Sequence, residues 1–189
     1  GDENLSVFSR DASSGALTFV TKYAPYDYTP RIDGLRDSSS LEISPDGKNV
    51  YTTGRSSNAL SVFSRDLSTG LLTLVDELVY NNDLSSTIGL KFASSVDVSP
   101  DGSYVYATGS RSWALSVFSR DSSSGSLTFV KMFADTTVRE ANSHVSDWSI
   151  CDQTSSHVCN GIYGLKSADL VVVNPVNNDV YVAASGNYT

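Results

Sequence analysis

Long apolar runs are missing from this chain, and their absence excludes a membrane-spanning helix: no stretch approaches the roughly 18 apolar residues that a span needs. Basic residues are few as well, 13 Lys and Arg against 21 Asp and Glu, for a formal net charge of −8. Binding to a phosphate backbone needs clustered positive charge, and here the basic residues are scattered along the sequence, so nucleic acid is excluded as a partner. There are only two histidines, two cysteines and one methionine. No nucleophile elbow, standard zinc spacing or EF-hand loop is present, so no metal and no cofactor is expected. The chain opens at Gly1 with neither an initiator Met nor a leader. The expectation is a processed chain or a segment of something longer.

What the chain has in abundance is repetition. Leu5-Ser-Val-Phe-Ser-Arg-Asp11 recurs at Leu60–Asp66 and Leu115–Asp121, each copy 55 residues after the last. Each copy runs into a turn closed by Gly15, Gly70 or Gly125 and then into a second apolar stretch. A fixed period of about 50 residues built from short strands is the signature of a β-propeller. Within one period, Leu41–Ser44 is a strand, Pro45-Asp-Gly47 a tight turn and Asn49–Thr53 the return strand. Ala59–Ser64 is the third strand and Leu71–Leu78 the fourth. The predicted fold is therefore all-β, with four-stranded antiparallel blades, about three in number, in a propeller that is larger or oligomeric.

The predicted organisation is an outer half-blade (1–24), two blades (40–79 and 95–133), an insertion (134–168) and an inner half-blade (169–189). Three blades are too few to close a ring. Either further blades of the same protein or other chains must complete the halves, and the first is favoured. The joins between blades span 20 residues, except the third, which spans 40. That insertion holds Cys151 and Cys159, expected to form a local disulfide, together with His144, His157 and Trp148. Asn4-Leu-Ser6 and Asn187-Tyr-Thr189 are glycosylation sequons. Disulfide and sequons together place the chain outside the cell.

The unit Ser-Pro-Asp-Gly-(Lys/Ser)-x-Val-Tyr, a Thr-Gly turn, then Leu-Ser-Val-Phe-Ser-Arg-Asp-x-x-(Ser/Thr)-Gly-x-Leu-Thr resembles the lactonase-type propeller repeat. That group includes 6-phosphogluconolactonase-like proteins and the YVTN repeats of bacterial and archaeal surface proteins. The resemblance implies a seven-bladed ring. It carries no catalytic set onto particular residues of this sequence.

Repeated residues read as blade chemistry: Asp11, Asp66 and Asp121 as turn caps, and Arg10, Arg65 and Arg120 as bridges to a neighbouring blade or turn. Asp135, Asp147 and Asp152 are considered as calcium ligands and His144 and His157 as catalytic bases, neither with supporting spacing. Tyr23, Tyr26 and Tyr28, with Trp148, are the candidate interaction residues, for a protein or a glycan. The function expected is a secreted, non-catalytic scaffold in an extracellular assembly, partnered by other chains or further blades. The alternatives are a lactonase-type hydrolase and a carbohydrate-binding propeller. If Cys151 and Cys159 are joined, the intact mass rises by two hydrogens on reduction and only then do two thiols alkylate. Glycans at Asn4 or Asn187 would add to the 20.2 kDa of the bare chain until removed by a glycosidase.

Overall fold

The period-two alternation of each repeat gives strands throughout. The computed structural model describes residues 3–27, 31–80, 89–135 and 160–186. Tyr28, His144, Trp148, Cys151, His157, Cys159 and Asn187 lie outside the described residues. Among the described residues no helix is long and apolar enough to cross a membrane. Strands β1 (Leu5–Arg10) and β2 (Leu17–Tyr23) form an antiparallel pair. A complete antiparallel blade follows: β3 (Ser38–Ile43), β4 (Asn49–Gly54), β5 (Ala59–Arg65) and β6 (Leu72–Val79), adjacent in chain order. The next blade holds β7 (Ala93–Val98), β8 (Tyr104–Gly109), β9 (Ala114–Arg120) and β10 (Leu127–Asp135). It gains a fifth strand, β11 (Asn160–Ile162), which lies parallel to β10 on its outer edge. Strands β12 (Ala168–Val173) and β13 (Val180–Ala184) close the order as a second antiparallel pair.

Local chemistry sets the turns. Gly47 and Gly102 both sit at φ +71°, a conformation that costs glycine little. Before each, an aspartate accepts a serine hydroxyl, Ser44 to Asp46 at 2.6 Å and Ser99 to Asp101 at 2.5 Å. Between the third and fourth strands, Asp66 accepts the backbone N–H groups of Ser68 (2.9 Å) and Thr69 (2.7 Å). Asp11 and Asp121 do the same at their own turns. Hydroxyl and amide donors hold all three carboxyls well below the usual carboxylate range. These aspartates are turn caps.

A blade has two apolar faces, and each must meet a neighbour. One face of the first full blade presents Tyr51, Leu60 and Val62 to Val96, Val105 and Phe118 of the next. Its other face, Val50, Phe63 and Leu72, packs on Leu5 and Tyr23 of the β1–β2 pair. A third cluster joins Leu115 to Leu165, Ala168 and Val171, seating the β12–β13 pair on the second full blade. Short ties repeat along the inner strands. The Ser39 hydroxyl donates to the Ala93 carbonyl (3.1 Å), and the equivalent Ser94 donates to Ala168 (2.8 Å).

One buried cation locks the interface between the two full blades. Arg120 donates from Nη2 to both Asp46 carboxylate oxygens (2.9 and 3.0 Å) and to Asn49 Oδ1 (2.7 Å). Its Nε donates to the Tyr51 hydroxyl (2.9 Å) and its Nη1 to the Gly102 carbonyl (3.1 Å). The Tyr51 hydroxyl in turn donates to the Gly125 carbonyl at 3.2 Å. Burial pushes the Asp46 carboxyl up, but the Ser44 hydroxyl and Arg120 outweigh it and bring it down to about 2.

Arg120→Ala leaves Asn49 and the Tyr51 hydroxyl short of partners inside the interface. The expected loss is about 3 kcal/mol in chemical denaturation. Arg10→Ala, on an exposed guanidinium, stays within about 0.5 kcal/mol. Because the folded-state pKa of Asp46 is depressed, its contribution is complete above pH 4 or so and is lost as pH falls through about 2. The Arg120→Ala chain is expected to show a flatter acid limb than the parent.

Candidate functional site

The strands of each blade run between two ends, and the ends differ in chemistry. One end carries the Pro-Asp-Gly turns and the Asp-capped turns, whose carboxylates accept hydroxyls and amides of their own loops and, at Asp46, Arg120 of the next blade. The joins arrive at the other end, where the β4–β5 and β8–β9 turns also lie. The inner strands β3, β7 and β12 stand side by side in that order, so the residues leading into them ring the axis of the propeller.

Each described join finishes on the same pair, Gly34-Leu35, Gly89-Leu90 and Gly164-Leu165, whose leucines are buried. A Cβ on Gly34 would lie 2.2 Å from Ser61 Oγ, and one on Gly89 2.2 Å from Ser116 Oγ. Only glycine lets the backbone approach the third strand so closely. The Gly34 N–H donates to Ser61 Oγ (2.9 Å) and to Glu77 (3.2 Å). Two residues past each leucine, Asp37, Phe92 and Ser167 adopt positive φ, which swings the chain into the inner strand.

Between leucine and positive-φ residue stands a basic side chain every time: Arg36, Lys91 and Lys166. Arg55 and Arg111 reach the same end from the neighbouring turns, where their backbone N–H groups donate to the Asp37 and Lys91 carbonyls (3.2 Å each). Both guanidiniums lie over the Phe92 ring, at 5.9 and 4.2 Å from its centre, and Lys166 lies 5.3 Å over Trp113. Asp33 receives Arg31 at 2.8 Å, with Arg36 at 3.9 Å. Among the described residues the Nε atoms of Arg36 and Arg55 are buried and hydrogen-bond no acceptor. A buried donor of this kind is costly to leave unpaired. On an acidic chain, the fold thus gathers five cations at the axial end of the joins. Read along the sequence they are scattered. The signal that would have found them is the repeat itself, since Arg36 and Lys91 stand one period apart and Lys166 one period plus the insertion later.

Carboxylates are present too. Asp37 is exposed beside Arg36 and accepts the Ser56 hydroxyl at 3.1 Å. Glu42 and Asp97 occupy equivalent places on β3 and β7, five residues beyond Asp37 and Phe92 and roughly 16 Å farther along the strands. Burial pushes the Glu42 carboxyl up; the Ile43 N–H draws it down, and the Asp97 charge adds to the rise. Asp97 itself accepts the Val173 N–H of the next inner strand at 2.7 Å. Among the described residues no three His, Cys, Asp or Glu side chains stand close enough together to hold a metal ion.

The residues singled out from sequence fall elsewhere. Tyr23 is buried, not displayed, and its hydroxyl accepts the Leu72 N–H at 2.7 Å, pinning β2 to the first full blade. Tyr26 is exposed, with the Arg31 guanidinium 6.0 Å from its ring centre. Asn4 is half-buried at the start of β1. Asp135, considered as a calcium ligand, accepts the N–H groups of Gly164 and Leu165 (2.9 Å each) and anchors the third join.

Comparison with known proteins gives the arrangement a lineage. A family described as lactonase, seven-bladed β-propeller, matches residues 1–143. None of the curated proteins matches. Among solved structures, a putative 6-phosphogluconolactonase from Bacteroides uniformis is similar over 95% of this chain and 50% of its own, at 18% identity and a TM-score of 0.54. The periplasmic gluconolactonase of Pseudomonas aeruginosa is similar over 69% of this chain and 34% of its own, at 22% identity and a TM-score of 0.53. A putative 6-phosphogluconolactonase from Bacteroides fragilis is similar over 66% and 32%, at 21% identity and a TM-score of 0.50. At such identities the likeness is one of fold. The chain spans about a third to a half of the length of these structures. The family match overturns the expectation of a non-catalytic extracellular scaffold, which rested on cut blades, sequons and a disulfide and took the repeat as a packing unit alone. With three quarters of its residues matched, the chain belongs to the lactonase family of seven-bladed β-propellers.

Proposed function

We propose that the chain is the part of a lactonase-type hydrolase that holds an anionic sugar-acid lactone at the axial end of its joins. The observation that carries this is the cation set Arg36, Arg55, Lys91, Arg111 and Lys166, gathered at one end of the strands on an acidic chain. A phosphate or carboxylate group suits both the local excess of positive charge and the geometry of a guanidinium. Two solved relatives are described as putative 6-phosphogluconolactonases, which fits a phosphorylated ligand.

The chemistry required is modest. Water adds to the lactone carbonyl as a carboxylate removes its proton, and Asp37 is the exposed carboxylate nearest these cations in the chain. The oxyanion that forms is stabilised by an adjacent guanidinium. The ring C–O bond then breaks, and the departing alkoxide takes a proton to give the hydroxy acid. No redox partner is needed. Glu42, buried and with its carboxyl pushed up, is a second carboxylate on the axis, but it lies away from the cations.

The test is titration of the chain with 6-phosphogluconate by calorimetry, with acid release from the corresponding δ-lactone followed at constant pH. Arg36→Gln and Arg55→Gln are expected to weaken binding by about tenfold each, the worth of one charge-assisted hydrogen bond. Asp37→Asn is expected to slow hydrolysis while leaving binding in place. No binding by the parent chain, together with a lactone half-life equal to that in buffer, sinks the reading.

A further inference from the structure

The backbone where each described join enters its inner strand is the same three times over, and the side chain is not. Asp37, Phe92 and Ser167 hold φ +52°, +58° and +53°. Their carbonyls accept the N–H groups of Arg55 (3.2 Å), Ser110 (3.1 Å) and Ser185 (3.1 Å), which stand at equivalent places just past the second strand of each repeat. Positive φ suits a short polar residue and is costly for a bulky one. The first and third joins comply with that preference; the second places a phenylalanine there. Building the turn does not call for the ring, because Asp37 and Ser167 make the same backbone bond without it.

What the ring touches is charge. The Arg111 guanidinium lies 4.2 Å from its centre and that of Arg55 5.9 Å. The two come from different blades, Arg55 from the β4–β5 turn of the first and Arg111 from the β8–β9 turn of the second. Phe92 is itself held across that boundary. Its N–H donates to Asn58 Oδ1 of the first blade (2.7 Å), and its carbonyl also accepts the Ser110 hydroxyl of the second (3.3 Å). Phe92 and Arg55 are half-buried and Arg111 is exposed. Contact with a ring face restrains a guanidinium without neutralising it. A carboxylate at the same place would neutralise it, and the first join has one there in Asp37. Two like charges held to one ring also repel each other, and an anion that meets both relieves the repulsion.

We propose that Phe92 is a positioning residue: its ring gathers Arg55 and Arg111 into one pre-ordered clamp, so that the anionic group of the ligand sits on the boundary between the two full blades. The inference rests on the anion-binding reading above and gives it a location. A free arginine loses side-chain freedom when it binds an anion. One already seated on a ring has lost part of that freedom beforehand, so less is lost on binding. The phenylalanine at positive φ is the counterpart, stability given up in the free protein for affinity in the complex.

The test is calorimetric titration of the chain with 6-phosphogluconate and with inorganic phosphate, alongside thermal melting followed by circular dichroism. Phe92→Asn carries a short polar side chain, as the other two joins do. It is expected to weaken binding of both anions by about fivefold, while its melting midpoint stays at or above that of the parent. Phe92→Tyr keeps the ring and is expected to bind within about twofold of the parent. In a chain that already carries Arg111→Gln, Phe92→Asn should weaken binding by no more than about twofold, because it acts through that guanidinium. A Phe92→Asn chain that binds like the parent overturns the proposal, and so does an equal loss with and without Arg111. A melting midpoint that falls on Phe92→Asn makes Phe92 a packing residue and overturns it too. If the parent binds neither anion, the anion-binding reading itself fails and the proposal falls with it.

Discussion

A four-stranded blade cannot bury two apolar faces by itself, and everything else in this structure follows from that constraint. Each repeat spends its aromatic and β-branched residues on its neighbours: Tyr51 and Val62 forward, Phe63 and Val50 backward. The polar residues that recur with them serve the same contact. Arg120 satisfies Asp46, Asn49 and Tyr51 across a blade boundary, and serines at the head of each inner strand tie it to the next. Stability is accordingly a property of adjacent pairs of blades, and a residue identical in sequence counts for much where it has a neighbour and for little where it has none. Arg10 and Arg120 are the same residue of the same motif in these two situations.

Much of this was legible beforehand. The recurrence of Leu-Ser-Val-Phe-Ser-Arg-Asp fixed period and fold, and the Pro-Asp-Gly and Asp-x-x-x-Gly spacings marked turns whose caps the structure contains. Strand chemistry is local, so sequence reports it well. The cation set at the axis was not legible in the same way. Arg36, Lys91 and Lys166 belong to joins that look irregular, and their proximity arises only when three inner strands are laid side by side. The aromatics of the first join are the louder signal in the sequence, yet Tyr23 is a packing residue because its hydroxyl has a backbone partner on β6. Gly34-Leu35 and Gly89-Leu90, 55 residues apart, were the overlooked cue: a join that ends on the same two residues at a fixed period ends in the same place.

The chemical division between the two ends explains how one repeat can carry both a fold and a site. Carboxylates at the turn end are engaged by serine hydroxyls and amides of their own loops and, at Asp46, by Arg120 of the next blade. At the join end the recurring Arg36, Lys91 and Lys166 stand with Arg55 and Arg111, and Arg55, Arg111 and Lys166 lie over Phe92 and Trp113. Duplication of the repeat therefore multiplies positive charge near the axis as a by-product of multiplying blades, even in a chain that is acidic overall. Asp37, Glu42 and Asp97 add carboxylates at two depths along the same inner strands.

The short parallel strand β11 has its own consequence. It starts beside Phe133 and finishes beside Asp135 on the outermost edge of the second full blade, so Asp135 and Asn160 are held close together on the rim farthest from the inner strands. A segment with its feet so close together can be lengthened at small entropic cost. Extra chain between Asp135 and Asn160 would therefore begin and end on the outermost strands, at the opposite edge of the sheet from the inner strand β7.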